Sequence, residues 1–227
     1  LFRKVHKKVP TWILIVGNYL NGISGLKQPF IRKVGIVLVL YIYNLLQLMA
    51  IRRARVFVNS QELFDTYVDD ARHTVLIKTT TLQLNGFYQR TDTCQGPTIR
   101  ILYTGRINFQ KGLRELISAV GILKKKFLIQ IDIVGWEDTG TFNFEEALRA
   151  QAVEAGIDSM VTFHGKKRVG EELNVYYRNS DIFVLATYHE GFPRTIWEAM
   201  ANSLPIICTP VGGIPHELRN RQEAVFV

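Results

Sequence analysis

Thr187-Tyr-His-Glu-Gly-Phe-Pro-Arg-Thr-Ile-Trp-Glu-Ala-Met-Ala-Asn202 follows directly on the apolar run Asp181-Ile-Phe-Val-Leu-Ala186. The run reads as a buried strand, and the longer stretch passes through Gly191 and Pro193 into a segment of helical composition. The result is a strand-to-turn-to-helix junction with Glu190 before the turn, Glu198 after it and seven residues between. A helix N-terminus presents unpaired N–H groups and the positive end of its dipole, which suits phosphate. The two carboxylates cannot bind that anion, but they can accept hydrogen bonds from hydroxyls on either side of it. An anion in the middle with a polyol at each end describes a sugar nucleotide.

From Thr98 onward the rhythm of the chain is regular. Apolar runs at 99–103, 129–134, 160–163, 181–186, 205–208 and 224–227 alternate with helical stretches near 112–126, 143–155, 171–178, 194–202 and 214–219. Strands separated by helical crossings predict an α/β fold, a doubly wound parallel Rossmann-like sheet with helices on both faces. In the strand order 3-2-1-4-5-6, the ligand crevice opens at the carboxyl ends of strands one and four. Strand one ends in Tyr103-Thr-Gly-Arg-Ile-Asn-Phe-Gln-Lys-Gly112, and strand four ends in the stretch quoted above. Arg106 and Lys111 would then face the helix start at 194–195. Arg supplies planar, bidentate donors and Lys a mobile point charge, so a diphosphate is the natural occupant.

Upstream, Arg3, Lys4, Lys7 and Lys8 precede a strand, Thr11-Trp-Ile-Leu-Ile-Val16, and a loop-like segment spans 17–29. The apolar stretch Gly35–Ala50 is about 16 residues long, short of the roughly 20 that span a bilayer. A buried crossover helix is its first reading, an interfacial membrane helix the second and a true span the third. Ala54–Ser60 reads as a strand running to a helix cap at Ser60, with helix to Val68 and another strand at 73–77. Residues 86–97, with Gly86, Gly96 and Pro97, have linker composition. The expected organisation is an incomplete α/β domain at 1–85, a linker at 86–97 and a nucleotide-sugar-binding Rossmann-like domain at 98–227 that stops in mid-pattern. The chain therefore reads as a piece of a longer protein.

The composition, with 47% apolar residues, is that of a globular protein with a sizeable core. Its net charge of +8 is uneven: residues 1–85 hold 12 Lys/Arg against 4 Asp/Glu, and residues 86–227 hold 16 against 16. A solvated basic face and an anionic-membrane or acidic-ligand surface explain the excess equally well, whereas nucleic acid lacks any accompanying motif. Cys94 and Cys208 make neither a disulfide scaffold nor a metal site, which fits a reducing, cytoplasmic compartment, with peripheral membrane attachment as an extension of it. There is no G-x-G-x-x-G, P-loop, zinc spacing or G-x-S-x-G. No metal and no cofactor are expected.

Each candidate also has a structural reading. Thr195-Ile-Trp-Glu198 fits a capping box with Thr195 as N-cap, worth about 1 kcal/mol. Glu190, at the mouth of a buried strand, has no comparable structural excuse. Arg106 and Lys111 read singly as surface charges, though Gly105 and Gly112 beside them suggest a backbone that turns sharply or admits something close. His164 reads as a structural or rim residue, His189 as a crevice neighbour and His216 as part of a glycine-flanked turn; none is assigned as a base.

With these residues in view, the chain resembles the retaining glycosyltransferases of the two-domain GT-B type, family four. The likeness rests on Tyr103–Gly112, on Glu190-Gly-Phe-Pro-Arg-Thr-Ile-Trp-Glu-Ala-Met200 and on Leu204-Pro-Ile-Ile-Cys-Thr-Pro-Val-Gly-Gly-Ile-Pro-His-Glu217. It covers 98–227 strongly and 54–97 weakly. The resemblance implies transfer of a sugar from an NDP-sugar donor to a glycan, lipid-linked or other acceptor, with retention and without a metal. It implies Arg106, Lys111 and Glu190 as catalytic residues. The donor-binding set would be Gly105, Arg106, Lys111, Glu190, Gly191, Phe192, Pro193, Arg194, Thr195 and Glu198. Within it, Arg106 and Lys111 pair on the diphosphate, Glu190 meets sugar hydroxyls, Glu198 meets the ribose, and the amides of 192–195 cradle phosphate. Pro193 stands where many members carry glycine, so one amide is missing. The rival readings are a catalytically inactive donor-domain fragment or membrane-associated interaction module, and a nucleotide-sugar epimerase of the same fold.

Overall fold

The structure is a computed structural model that describes residues 11–17, 30–71, 73–78, 80, 82, 86–137 and 143–227. Arg3, Lys4, Lys7, Lys8 and most of the loop-like stretch before Phe30 lie outside the described residues. The chain divides into two units, Leu1–Thr79 with His189–Phe192, and Thr80–Tyr188 with Pro193–Val227.

The first unit carries three parallel strands in the order β1 (Trp12–Ile15), β2 (Arg55–Val58) and β3 (His73–Leu76). Alternate residues Ile15, Val56 and Val58 point to one face, where they pack with Ile51, Leu63 and Tyr67. Helix α1 (Phe30–Ile51) joins β1 to β2, and α2 (Gln61–Tyr67) joins β2 to β3. Ser60 caps α2 as its sequence predicts, its Oγ accepting from Leu63 N at 3.4 Å.

Helix α1 corrects the first reading of its stretch. It does cross between parallel strands, but it is not buried: Val37, Leu38, Val39, Tyr41, Leu46 and Met49 are all exposed. Ile51 at its end enters the core, with Leu48 packed beside it. The helix also runs 22 residues, because Arg32 and Lys33, read as flanks, fall inside its first turn. The 20 residues Arg32–Ile51 are long and apolar enough to cross a membrane by length and composition.

The second unit is a six-stranded parallel sheet in the order β6-β5-β4-β7-β8-β9. Its strands are β4 (Thr98–Arg106), β5 (Leu128–Trp136), β6 (Val161–Phe163), β7 (Ile182–Leu185), β8 (Ile206–Cys208) and β9 (Val225–Phe226). Counted from Thr98 this is the order 3-2-1-4-5-6, so the winding reverses between β4 and β7, which pair through Ile101↔Ile182 and Leu102↔Phe183. The crossing helices are α3 (Leu113–Leu123), α4 (Phe144–Glu154), α5 (Glu171–Arg178), α6 (Arg194–Ala201) and α7 (Ile214–Glu217). Leu102, Tyr103, Ile131, Ile133 and Phe183 are almost wholly buried. Each contributes on the order of 1.5–3 kcal/mol by leaving water.

Strands β4 and β5 outrun their apolar cores. Pairing continues through Gly105↔Gly135 and Arg106↔Trp136, carrying Arg106 to the carboxyl edge of the sheet. A Cβ on Gly135 would lie 1.7 Å from Gly105 O, so this extension requires glycine. Residues 86–97, of linker composition, are strapped to this unit: Tyr88 N donates to Ala201 O at 2.7 Å and Cys94 N to Asp181 Oδ1 at 2.8 Å. The Arg90 guanidinium donates to the carbonyls of Tyr177, Arg178 and Ser180, satisfying the end of α5.

Candidate functional site

The loop that leaves β4 is built around one turn. Ile107 N donates to Trp136 O at 2.7 Å, Tyr103 Oη donates to Arg106 O at 2.6 Å, and Asn108 Oδ1 accepts from Gln110 N at 3.1 Å. A short 3-10 turn, Phe109–Lys111, follows and places Lys111 directly before Gly112. Gly112 begins α3 with φ 66°, and a Cβ there would stand 1.8 Å from Ala186 O. Left-handed backbone and a carbonyl in the way both demand glycine.

That contact joins the β4 loop to the exit of β7. Thr187 Oγ1 and Tyr188 N both donate to Gln110 O, at 3.0 and 2.8 Å. Thr209 Oγ1 in turn donates to Thr187 O, tying in the exit of β8. Tyr188 Oη donates to Glu115 Oε1 at 2.6 Å, fastening the same exit to the first turn of α3. The two sequence segments proposed to share a ligand are therefore bonded to each other at the switch point. Arg106 is exposed and Lys111 half-buried.

On the other side of the switch point, α6 starts at Arg194, with Pro193 in the cap position at φ −75°, ψ 121°. This corrects the capping-box alternative. The helix starts one residue before Thr195, and the cap residue, a proline, makes no side-chain cap bond. Proline here removes an N–H that precedes the helix, leaving the amides of Arg194 and Thr195 at its first two positions.

Glu198, one turn into α6, is 7% exposed. Its Oε2 accepts from Tyr177 Oη at 2.9 Å, and Tyr177 Oη stands 2.6 Å from Thr104 Oγ1 at the end of β4. Burial, reinforced by the Glu198 charge, pushes the Tyr177 hydroxyl well above its ordinary value, so it stays protonated as a donor. A buried carboxylate normally has to be satisfied by donors, and here a tyrosine on α5 supplies one. Sequence reading missed Tyr177 and Thr104. The available signal was Leu173 and Tyr177, four apart on one face of α5 and both buried.

Glu190, Gly191 and Phe192 group with the first unit, where a Cβ on Gly191 would come 3.1 Å from Val16 O and 3.4 Å from Asn59 Oδ1. His189 belongs to the same short segment. His164 has its Nε2 2.6 Å from Asp132 Oδ1 and its ring edge-on to Tyr176 at 4.7 Å. His216 is exposed on α7. Cys208 is buried in β8, which pushes its thiol up to about 11. Among the described residues, no group of three or more His, Cys, Asp or Glu is arranged to hold a metal.

A family model described as Glycosyl transferases group 1 matches residues 93–227. D-inositol 3-phosphate glycosyltransferase of Paenarthrobacter aurescens is 28% identical over 134 residues, which is 57% of this chain and 32% of that protein. The protein of the same name from Corynebacterium efficiens is 33% identical over 130 residues, 56% of this chain and 30% of its own. The match thus spans about a third of the length of these curated relatives. Among solved structures, Anabaena HepE in complex with UDP and glucose aligns with TM-score 0.71 at 18% identity, covering 96% of this chain and 57% of that one. Sucrose-phosphate synthase from Thermosynechococcus elongatus aligns with TM-score 0.72 at 20% identity, covering 99% and 57%. At such identities the likeness establishes the fold, the α/β arrangement of GT-B glycosyltransferases.

Proposed function

The chain belongs to the glycosyl transferases group 1 family, and from that premise we propose that it serves transfer of a sugar from a nucleoside-diphosphate donor to a glycan or lipid-linked acceptor, with retention at the anomeric carbon. The observation that carries the reading is the bonded pair of loops at the switch point, Gly112 against Ala186 and Gln110 against Thr187 and Tyr188. A crevice at that point of a doubly wound sheet is where such folds take nucleotides. HepE, of similar fold, was crystallised with UDP and glucose.

In this reading Arg106 and Lys111 hold the diphosphate, and the amides of Arg194 and Thr195 add the dipole of α6. As the glycosidic bond breaks, negative charge grows on the leaving diphosphate, and fixed cations and N–H groups stabilise it more than they stabilise the ground state. Glu198 binds the ribose. Glu190, Gly191 and Phe192 enter from their sequence motif, Glu190 as the acceptor of donor-sugar hydroxyls. No metal takes part in the scheme. The protein would work in the cytoplasm, and the basic excess of residues 1–85 with the exposed apolar α1 supports peripheral attachment to an anionic membrane.

Calorimetric titration with UDP-, GDP- and ADP-sugars tests the donor reading. One donor should bind, and Arg106→Ala and Glu190→Ala should each weaken it about tenfold or more. Unchanged affinity in both variants would remove these residues from the site. Because the match spans about a third of its relatives, the second reading is a donor-binding chain without turnover, in which donor binds and no sugar is transferred or hydrolysed.

A further inference from the structure

We infer that Tyr177 is the positioning residue for Glu198, fixing that carboxylate from below so that it can hold the nucleotide's ribose. The inference rests on the donor-site reading above and extends it to a residue with no exposed surface of its own.

The phenol has a single proton, and the geometry settles where it goes. The carboxylate oxygen of Glu198 is 2.9 Å away, and the competing carbonyl of Thr195 is 3.5 Å away. A carboxylate is the stronger acceptor, so Tyr177 donates to Glu198. Thr104 Oγ1, 2.6 Å from the phenol oxygen, must then donate to it. The chain of donors runs in one direction, Thr104 to Tyr177 to Glu198, and all three residues are buried. Each sits on a different element: Thr104 on β4 just before Gly105 and Arg106, Tyr177 on α5 and Glu198 on α6.

This differs from ordinary core packing in two ways. The Tyr177 ring is fully buried and already packs on Phe183 with centroids 5.9 Å apart, so filling the core requires the ring and not the hydroxyl. The hydroxyl is instead spent on the one buried carboxylate of α6. A glutamate side chain has three rotatable bonds, and a hydrogen bond at Oε2 removes most of that freedom before a ligand arrives. Through Thr104, the relay also ties the carboxylate to β4, the strand that delivers Arg106, so ribose and diphosphate contacts share one base.

The test compares UDP, or whichever of UDP, GDP and ADP binds best, with its 2′,3′-dideoxy analogue, in the full chain. Wild type should prefer the ribose form. Glu198→Ala should bind the ribose form about tenfold more weakly and leave the dideoxy form unchanged. Tyr177→Phe, which keeps the ring, should weaken the ribose form about fivefold, spare the dideoxy form, and add nothing in combination with Glu198→Ala. If Glu198→Ala abolishes the preference and Tyr177→Phe keeps it, the positioning role is wrong and the ribose reading stands. If Glu198→Ala leaves the preference intact, the ribose reading fails and takes this inference with it. Equal weakening of both ligands by Tyr177→Phe would reduce Tyr177 to a structural residue. Should Tyr177→Phe not fold, Thr104→Val carries the same comparison, with about a twofold loss confined to the ribose form expected and no selective loss overturning the inference.

Discussion

The two units use the same grammar of parallel strand, helix and parallel strand, and differ in how much apolar surface they leave in water. The second unit closes six strands around Leu102, Ile133 and Phe183 and pins its carboxyl edge with hydroxyls from Thr187, Thr209 and Tyr177. The first unit covers one face of three strands and leaves Trp12, Leu14 and Val75 exposed along with most of α1. A shared alternation of parallel strand and helix therefore does not guarantee an equal degree of burial. What the second unit adds is a set of polar bonds between loops, and those bonds lie where the proposed chemistry is.

The sharpest way to break this contrast is at Gly112. With a Cβ 1.8 Å from Ala186 O and φ at 66°, Gly112→Ala should destabilise the second unit by about 2–4 kcal/mol and abolish the proposed nucleotide binding. Urea unfolding and calorimetry read both, and a stable variant with native affinity would show that the loop junction does not hold the site. Next in size is a pair of truncations. Ile133→Ala should cost about 2–4 kcal/mol, and Leu46→Ala, on the exposed side of α1, less than about 0.5 kcal/mol. Similar losses at the two positions would mean that α1 is covered after all.

A smaller effect lies in alkaline solution. The Tyr177 and Cys208 groups have folded values raised above their unfolded ones, Cys208 from 9.0 to about 11. A raised value means stability that is complete below the unfolded value and lost as pH rises through the folded one. The second unit should thus unfold more readily as pH climbs from 9 to 11, and Cys208→Ala should flatten that decline. The smallest effect is chemical. Exposed Cys94 should react with a thiol reagent at neutral pH while Cys208 reacts upon unfolding, so two thiols titrating together would contradict the burial of β8.

Much of the second unit was legible in its sequence because alternation of apolar runs with helical stretches fixes a doubly wound sheet, and glycines mark where its strands end. Gly105 and Gly112 were suspect on chemistry alone, and the structure supplies what stands against a side chain there, the Tyr103 hydroxyl at Gly105 and the Ala186 carbonyl at Gly112. Glu198 was less legible. A Thr-x-x-Glu spacing fits a cap, yet the helix begins at Arg194 and the carboxylate turns to a tyrosine on a different helix, a long-range partner that local spacing cannot reveal. The stretch 35–50 misled for the opposite reason. Its composition specified a helix, but burial depends on what packs against it, and periodicity is silent on that when every face is apolar.

The Arg90 clasp bears on how the molecule can be dissected. A piece cut at Thr98, where the repeating pattern starts, would lose the guanidinium that satisfies three carbonyls at the end of α5 and the amides of Tyr88 and Cys94 that anchor to Ala201 and Asp181. Since α5 carries Tyr177, fraying there would reach the Glu198 carboxylate that its hydroxyl holds. Any excision meant to keep the proposed donor site intact should begin upstream of Tyr88.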